Sequence, residues 1–229
     1  MDKFSVVIPW RDDGTIERVN NFDWIMSRWE SIFGDNVWLH VGDSGDEIFS
    51  RSKTRNLLAS QSESDVIVFA DADTIPNPLY ITQAVEKVRE SSAWCIAYGE
   101  KRYYNLTEEA SLKILSMNPA SVLMEPPVSW CEHRLTSWAG MIAVSRDAFK
   151  SVGGYDERFI GWGHEDVALR LKLDNECGQH TRVDGGYVMH LWHPRAEADF
   201  GSVHELRNRK IFESDYRKRY NWRDERHKR

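Results

Sequence analysis

Two aspartates one residue apart, Asp71 and Asp73, close the apolar run "DVIVFA" within "FADADTIPNP". Two hard carboxylate oxygens side by side suit Mg²⁺ or Mn²⁺ bridging to a phosphate. The pair could equally cap the "TIPNP" turn or work as an acid and a base. On a strand, residues i and i+2 point to the same side, so both carboxylates are expected to face one crevice. Buried without partners they would be costly.

Three further groups bear on that choice. In "FIGWGHEDVALRL", Trp162 stands between Gly161 and Gly163, and Glu165 and Asp166 open a helix. The N-terminal dipole of that helix favours an ionised carboxylate. An ionised Asp166 beside a mobile indole can act as a general base with a stacking platform; the plainer alternative is ordinary helix-start charge. In "VMHLWHP", His190 and His193 are three apart near a strand end. A neutral imidazole added to the carboxylates would tilt a metal site from Mg²⁺ towards Mn²⁺. In "SRSKTRNLL", Arg51, Lys53 and Arg55 sit at a helix start, a natural contact for a diphosphate. No GxxxxGK[ST] loop occurs, so this is not a P-loop, and no GxGxxG follows the first strand, which argues against a dinucleotide fold.

The elements that must hold these groups alternate. "KFSVVIPW" reads as a strand, and "TIERVNNFDWIMSRWESIFG" as a helix ending at Gly34. "NVWLHVGD", "RSKTRNLLAS", "SDVIVFADAD", "NPLYITQAVEKVRE" and "AWCIAYGE" continue as strand, helix, strand, helix and strand. This order predicts an α/β fold, a mainly parallel sheet flanked by helices. Ligands of such sheets lie beyond the carboxyl ends of the strands, where "PWRDDG", "GDSGD" and "DADTIP" should converge. From about Ser121 the chain becomes richer in Trp and Gly. It reads as a strand ("WAGMIAVS"), two helices ("RDAFKSVGG", "HEDVALRLKLDNE") and a strand pair joined by a glycine turn ("HTRVDGGYVMHLWHP").

A chain of 229 residues with 41% hydrophobic and 29% charged content can bury one sizeable core. Its ten tryptophans can line a sugar or base site as well as a core. The three scattered cysteines, the lack of a leader pattern and the lack of a long apolar run point to a reducing, cytoplasmic setting. Net charge is −6, yet residues 207–229 carry ten Lys/Arg against four Asp/Glu. This basic tail either approaches a nucleic acid, stacking its aromatics on bases, or forms an amphipathic helix packing Ile211, Phe212, Tyr216 and Tyr220 inward.

"VVIPWRDDG", "VGDSGD", "KTRNLLA" and "VIVFADAD" resemble the nucleotide-sugar half of metal-dependent GT-A glycosyltransferases. "WAGMIAVSRDAFKSVGGYDERFIGWGHEDVALRL" is similar to the acceptor half of the β-1,4-galactosyltransferase and polypeptide GalNAc-transferase families. The resemblance implies one GT-A domain over 1–206, with a nucleotide-sugar half at 1–120 and an acceptor half at 121–206, before the tail at 207–229. It implies transfer of a hexose from a UDP-sugar to an acceptor hydroxyl. Pro9, Arg11 and Asp43 would line the uridine pocket, and Arg55 would face the nucleobase or diphosphate. Asp73 would ligate Mn²⁺ or Mg²⁺ directly, with Asp71 reaching the ribose or, through water, the metal. His190 would be the third ligand, with His193 as the other register of the motif. Ala139 and Gly140 would border the donor sugar, Trp162 would sit on a closing loop, Glu165 would hold the acceptor, and Asp166 would be the base.

The retaining GalNAc-transferases have asparagine where Asp166 stands, so a carboxylate there implies inversion. Some phage members glycosylate hydroxymethylpyrimidines in DNA, which with the basic tail makes DNA a candidate acceptor in a bacterial or phage-infected cytoplasm. A glycan, protein or small-molecule acceptor and a non-catalytic sugar- or nucleotide-binding module are the alternatives. A nucleotidyltransferase is disfavoured because its Gly-rich basic loop is absent after "VVIP".

Overall fold

The computed structural model describes residues 2–194 and 201–222. Strand β1 (Phe4–Pro9) is buried along its whole length, as its unbroken apolar run requires. Helix α1 (Ile16–Phe33) and strand β2 (Val37–Gly42) follow. Helix α2 (Arg51–Ser60) starts at Ser50, whose hydroxyl accepts from the Lys53 N–H. After β3 (Val66–Ala70) and the short β4 (Thr74–Ile75), helix α3 (Pro78–Glu90) begins with an Asn77 cap and proline in its first turn.

Next come β5 (Trp94–Ile96), β6 (Tyr103–Leu106), α4 (Glu108–Leu115), β7 (Cys131–Leu135), β8 (Met141–Ser145) and α5 (Arg146–Ser151). The chain goes on through α6 (Glu165–Glu176), β9 (Thr181–Arg182), β10 (Val188–His190) and α7 (Val203–Ile211), with a π-helical turn over Phe212–Arg217.

The main sheet runs β2-β1-β3-β8-β5-β9. β1 is parallel to β2 and β3, β5 is parallel to β9, and β8 alone is antiparallel to both its neighbours. A smaller sheet runs β4-β10-β6-β7 and carries the far wall of the cleft.

The expected strand pair in "HTRVDGGYVMHLWHP" is not formed. β9 joins the main sheet beside β5, whereas β10 enters the smaller sheet between β4 and β6. The turn that separates them is closed by Gly186 N–H donating to the Val183 carbonyl (3.1 Å), and Gly186 then accepts from Gly99 N–H (3.0 Å). Two short segments therefore complete two different edges instead of one hairpin. The small strands β6 and β7 were not anticipated.

The third strand also ends earlier than expected. Asp71 N–H donates to the Gly140 carbonyl (3.1 Å), and Thr74 N–H turns back to the Asp71 carbonyl (3.2 Å). Residues 71–73 thus form a turn, and the i, i+2 rule for a strand does not govern where their carboxylates point.

The main core lies on both faces of the large sheet. A second apolar cluster joins Phe159, Ala168 and Leu171 to Phe212 and Tyr216 of the C-terminal segment. Phe212 is 1% and Tyr216 7% exposed, so these two tail aromatics pack inward, with Ile211 and Tyr220 partly buried beside them. Helix α7 begins at Val203 and so runs across the expected boundary at 206/207. Residues 223–229 of the basic tail lie outside the described residues.

Candidate active site

Beyond the carboxyl ends of β1 and β3, a cleft of about 730 Å³ runs between the two sheets. One end is built around Asp73. His190 Nε2 lies 3.3 Å from its Oδ1, and His193 Nε2 lies 3.2 Å from its Oδ2. Ligand atoms of all three residues fall within 4.8 Å of one another.

The backbone holds this trio from several sides. His190 pairs with Thr74 and Asn105 in the small sheet. Leu191 N–H donates to the Asp73 carbonyl (2.9 Å). Trp192 N–H donates to the buried Ser111 hydroxyl (2.8 Å), and its carbonyl accepts from the buried Asn21 amide (3.0 Å).

Sequence left open whether His190 or His193 belongs with Asp73; both do. His193 Nδ1 lies 2.9 Å from the Pro194 carbonyl. A proton on Nδ1 is donated there, which leaves the Nε2 lone pair for a cation. Burial would raise the Asp73 pKa, but the two imidazoles hold it well below the usual carboxylate range. Burial likewise opposes a charged His193, and its hydrogen bond and charge pairing with Asp73 push its pKa up. The trio thus calls for positive charge at its centre. One carboxylate with two imidazoles fits a borderline divalent ion such as Mn²⁺ better than Mg²⁺.

The other end is organised by Arg55, which is 2% exposed. Its Nη2 donates to Asp71 Oδ1 (2.6 Å) and its Nη1 to Asp166 Oδ1 (2.9 Å), with Glu165 Oε1 4.0 Å away. The guanidinium lies over the Tyr155 ring at 4.9 Å. Burial opposes the charge, but Asp166, Tyr155, Asp71 and Glu165 push the Arg55 pKa well above its ordinary value.

Asp71, expected to reach the ribose or, through water, the metal, lines the cleft, accepts from Arg55 and is not one of the trio. Arg55, expected to face the nucleobase or diphosphate, is the cation that joins the end of β3 to the start of α6. One guanidinium faces three carboxylates, and the imbalance appears at Asp166. Burial pushes its pKa up, to about 7; Arg55 offsets this, while Glu165 and Asp71 add to it. Burial thus works against the ionised form that the helix start was expected to favour.

Other expected residues divide into those that line the cleft and those that support it. Pro9, Arg11, Ala139, Trp162 and Glu165 line it; Asp43 and Gly140 stand behind. Asp43 is ion-paired to Arg11, which also donates to the Glu47 carbonyl (3.2 Å) and lies over the Phe49 ring at 5.4 Å. Gly140 has φ +83°, and a Cβ there would come within 2.6 Å of Tyr103 Cε2. Its carbonyl accepts from Asp71 N–H and from the Thr74 hydroxyl (2.8 Å), so it shapes the aspartate turn.

Glu165 Oε2 accepts from Gly163 N–H (3.0 Å), and Arg51 Nη1 donates to the Gly161 carbonyl (3.3 Å). Both hold the loop of Trp162, whose indole is 41% exposed. Sequence reasoning missed Trp10, Arg18, Phe49 and Tyr103 in the lining, as well as Glu132 and His133 on β7. Trp192, between the two histidines, is the one whose position in "HLWHP" could have signalled it.

A sheet with five strands running one way, a single reversed strand and a carboxylate–imidazole trio at the strand ends defines the GT-A class of fold. Residues 23–192 match the family model described as glycosyltransferase like family 2, and the chain belongs to that family.

A chondroitin synthase of Pasteurella multocida is 23% identical over 223 residues, covering 85% of this chain and 22% of its own length. The chain thus spans about a fifth of such relatives. Among solved structures, a Drosophila β1,4-galactosyltransferase 7 superposes with a TM-score of 0.55 at 16% identity, over 84% of this chain and 72% of that one. Glucosyl-3-phosphoglycerate synthase of Mycobacterium tuberculosis gives 0.51 at 18% identity, over 98% and 82%. No helix among the described residues is long and apolar enough to cross a membrane.

Proposed function

We propose that this chain transfers a hexose from a UDP-sugar to an acceptor hydroxyl with inversion at the anomeric carbon, using Asp166 as general base. The observation that carries the reading is the placing of two chemically different sites on one cleft: a trio suited to a divalent cation, and a carboxylate, Asp166, held by the buried Arg55. The galactosyltransferase structure contains manganese and UDP-Gal, and the mycobacterial one Mn²⁺ and UDP-glucose, which supports the same donor chemistry here.

Asp73, His190 and His193 would hold the ion. When bound, it supplies positive charge against the departing diphosphate. Pro9 and Arg11, with Phe49 beneath Arg11, would hold the uridine, and Arg11 is kept in place by Asp43. Ala139 would border the sugar. The exposed face of Trp162 would stack on the acceptor, and Glu165 would keep the Trp162 loop and the acceptor in register. Asp166 takes the acceptor hydroxyl proton as that oxygen attacks the face opposite the leaving diphosphate. Arg55 holds the carboxylate in place and stabilises its ionised form. A base whose pKa lies near the working pH combines the right protonation state with useful proton affinity.

The relatives named for chondroitin and hyaluronan make saccharide chains the first acceptors to test. DNA is the second reading. The arginines and lysines of residues 207–219 are exposed, which suits a phosphate backbone. Phe212 and Tyr216, however, are taken up in packing.

The test is UDP release with Mn²⁺ from UDP-glucose, UDP-galactose and UDP-N-acetylglucosamine. Chondroitin oligosaccharides, hyaluronan oligosaccharides and hydroxymethylated DNA are offered in turn, and the product is analysed by NMR. A β-linked product from a UDP-α-sugar is expected. An α-linked product would refute inversion, and no metal-dependent turnover of any donor would refute the transferase reading.

A further inference from the structure

Asn208 plays no part in the chemistry above, yet it is 1% exposed and its carboxamide is fully engaged. Its Oδ1 accepts from Ile160 N–H (3.2 Å), and its Nδ2 donates to the carbonyls of Ile160 (2.9 Å) and Trp162 (3.0 Å). Glu205 and Phe212 lie on the same face of the C-terminal segment, three residues before and four after. Glu205, also 1% exposed, is 3.6 Å from His164 Nε2 and is held by Arg209 at 2.8 Å. Phe212 stacks on the His164 ring at 5.0 Å and 23°.

His164 has φ +73°, a left-handed backbone that a non-glycine residue keeps only when its surroundings over-determine it. It is the residue immediately before Glu165 and Asp166. On the opposite side, the Ser50 backbone bridges to Gly161 and the Ser50 hydroxyl donates to the Phe159 carbonyl (3.3 Å). The segment 159–164 is thus clasped between the start of α2 and the face of α7. Its central residue, Trp162, is 41% exposed.

We infer that α7 is a positioning element for the acceptor side of the cleft, with Asn208 as its central positioning residue. Asn208 fixes the Trp162 carbonyl and thereby aims the indole that the transferase reading places against the acceptor. This inference rests on the transferase reading for its consequence in turnover, but its structural part is independent of that reading.

The test uses the whole chain and compares wild type with Asn208→Ala, Asn208→Asp and Arg158→Ala. Arg158→Ala removes exposed ion pairs to Asp156 and Asp215 but leaves the carboxamide clasp intact. Hydrogen exchange is followed by mass spectrometry without ligand, and UDP release is measured from UDP-glucose with Mn²⁺, with and without hyaluronan or chondroitin oligosaccharides. Losing three hydrogen bonds should speed exchange in 159–166 by about tenfold or more in Asn208→Ala, with β1 and β3 unchanged. Asn208→Asp, whose second carboxylate oxygen would face the Ile160 and Trp162 carbonyls in place of the donating amide, should speed exchange at least as much as Asn208→Ala, and Arg158→Ala should match wild type.

In Asn208→Ala, transfer to the oligosaccharide should fall by about tenfold while release of UDP to water stays within about twofold, because the donor end is untouched. Unchanged exchange in 159–166 would overturn the inference. So would acceleration spread through β1 and β3, or equal losses in transfer and hydrolysis. If wild type turns over no UDP-sugar, the functional reading fails, and the exchange pattern alone decides the positioning role.

Discussion

The two ends of the cleft solve one problem, carboxylate partly withdrawn from water, in opposite ways. At one end Asp73 is matched by two imidazoles, groups that can lose a proton and offer lone pairs to a cation. At the other, Asp71, Glu165 and Asp166 share a guanidinium that never deprotonates and cannot ligate a metal. The first end is built for an exchangeable positive charge, the second for a permanent one. Because the permanent charge is single and the carboxylates are three, Asp166 is left with a proton affinity useful to a base.

The largest expected effect tests that contrast directly. Asp166→Asn keeps the shape and a hydrogen-bond acceptor for Arg55 but removes the proposed base. Transfer should fall by about 10²–10⁴-fold, with Mn²⁺-dependent UDP binding retained. Asp73→Ala should do the reverse, losing metal-dependent UDP binding, which equilibrium dialysis with and without Mn²⁺ would measure. If either variant affected both properties alike, the two ends would not be separable.

Next in size is Arg55→Met. Removing the cation leaves the buried Glu165 and the partly buried Asp71 and Asp166 unpaired, and denaturant unfolding should show a loss of up to about 3–5 kcal/mol. The same change should move the pH profile. Asp166 acts in its ionised form and is pushed up to about 7, so kcat/KM should rise with pH through that value and level off above it. Without Arg55 the limb should move to higher pH. Linkage has the opposite sign for stability: a carboxyl raised from 3.8 to about 7 binds its proton more tightly in the folded state, so this group lowers stability as pH rises across that window. A limb that stayed in place in Arg55→Met would show that another group sets it.

What was legible in the sequence follows the same division. Helices α1, α2 and α3 were readable because apolar residues recur at helical spacing and caps such as Asn77–Pro78 mark boundaries, and strands β1 and β3 because fully buried strands read as unbroken apolar runs. The residue types gathered around Asp73 were readable because Asp73 and the His190–His193 spacing carry their own chemistry. Periodicity cannot say which carboxylate a buried arginine chooses. Arg55 meets partners 16 and 111 residues away, and Asn208 reaches carbonyls 48 and 46 residues away. Nor could it place two-residue β9 and three-residue β10 in different sheets, since so few residues hold no pattern to assign an edge.

The smallest effect concerns the two histidines. His193 is oriented by the Pro194 carbonyl and His190 by its place in β10, so neither depends on the other for its direction. If both ligate, His190→Ala and His193→Ala should each weaken the Mn²⁺ dependence of UDP binding by a similar factor, about 10–100-fold. Neither variant should shift the Asp166 limb, because that group answers to Arg55. If only one of the two weakened metal dependence, the spacing "HLWH" would supply one ligand and one neighbour. The metal end would then hold its cation with two protein groups, and its contrast with the guanidinium end would rest on a single imidazole.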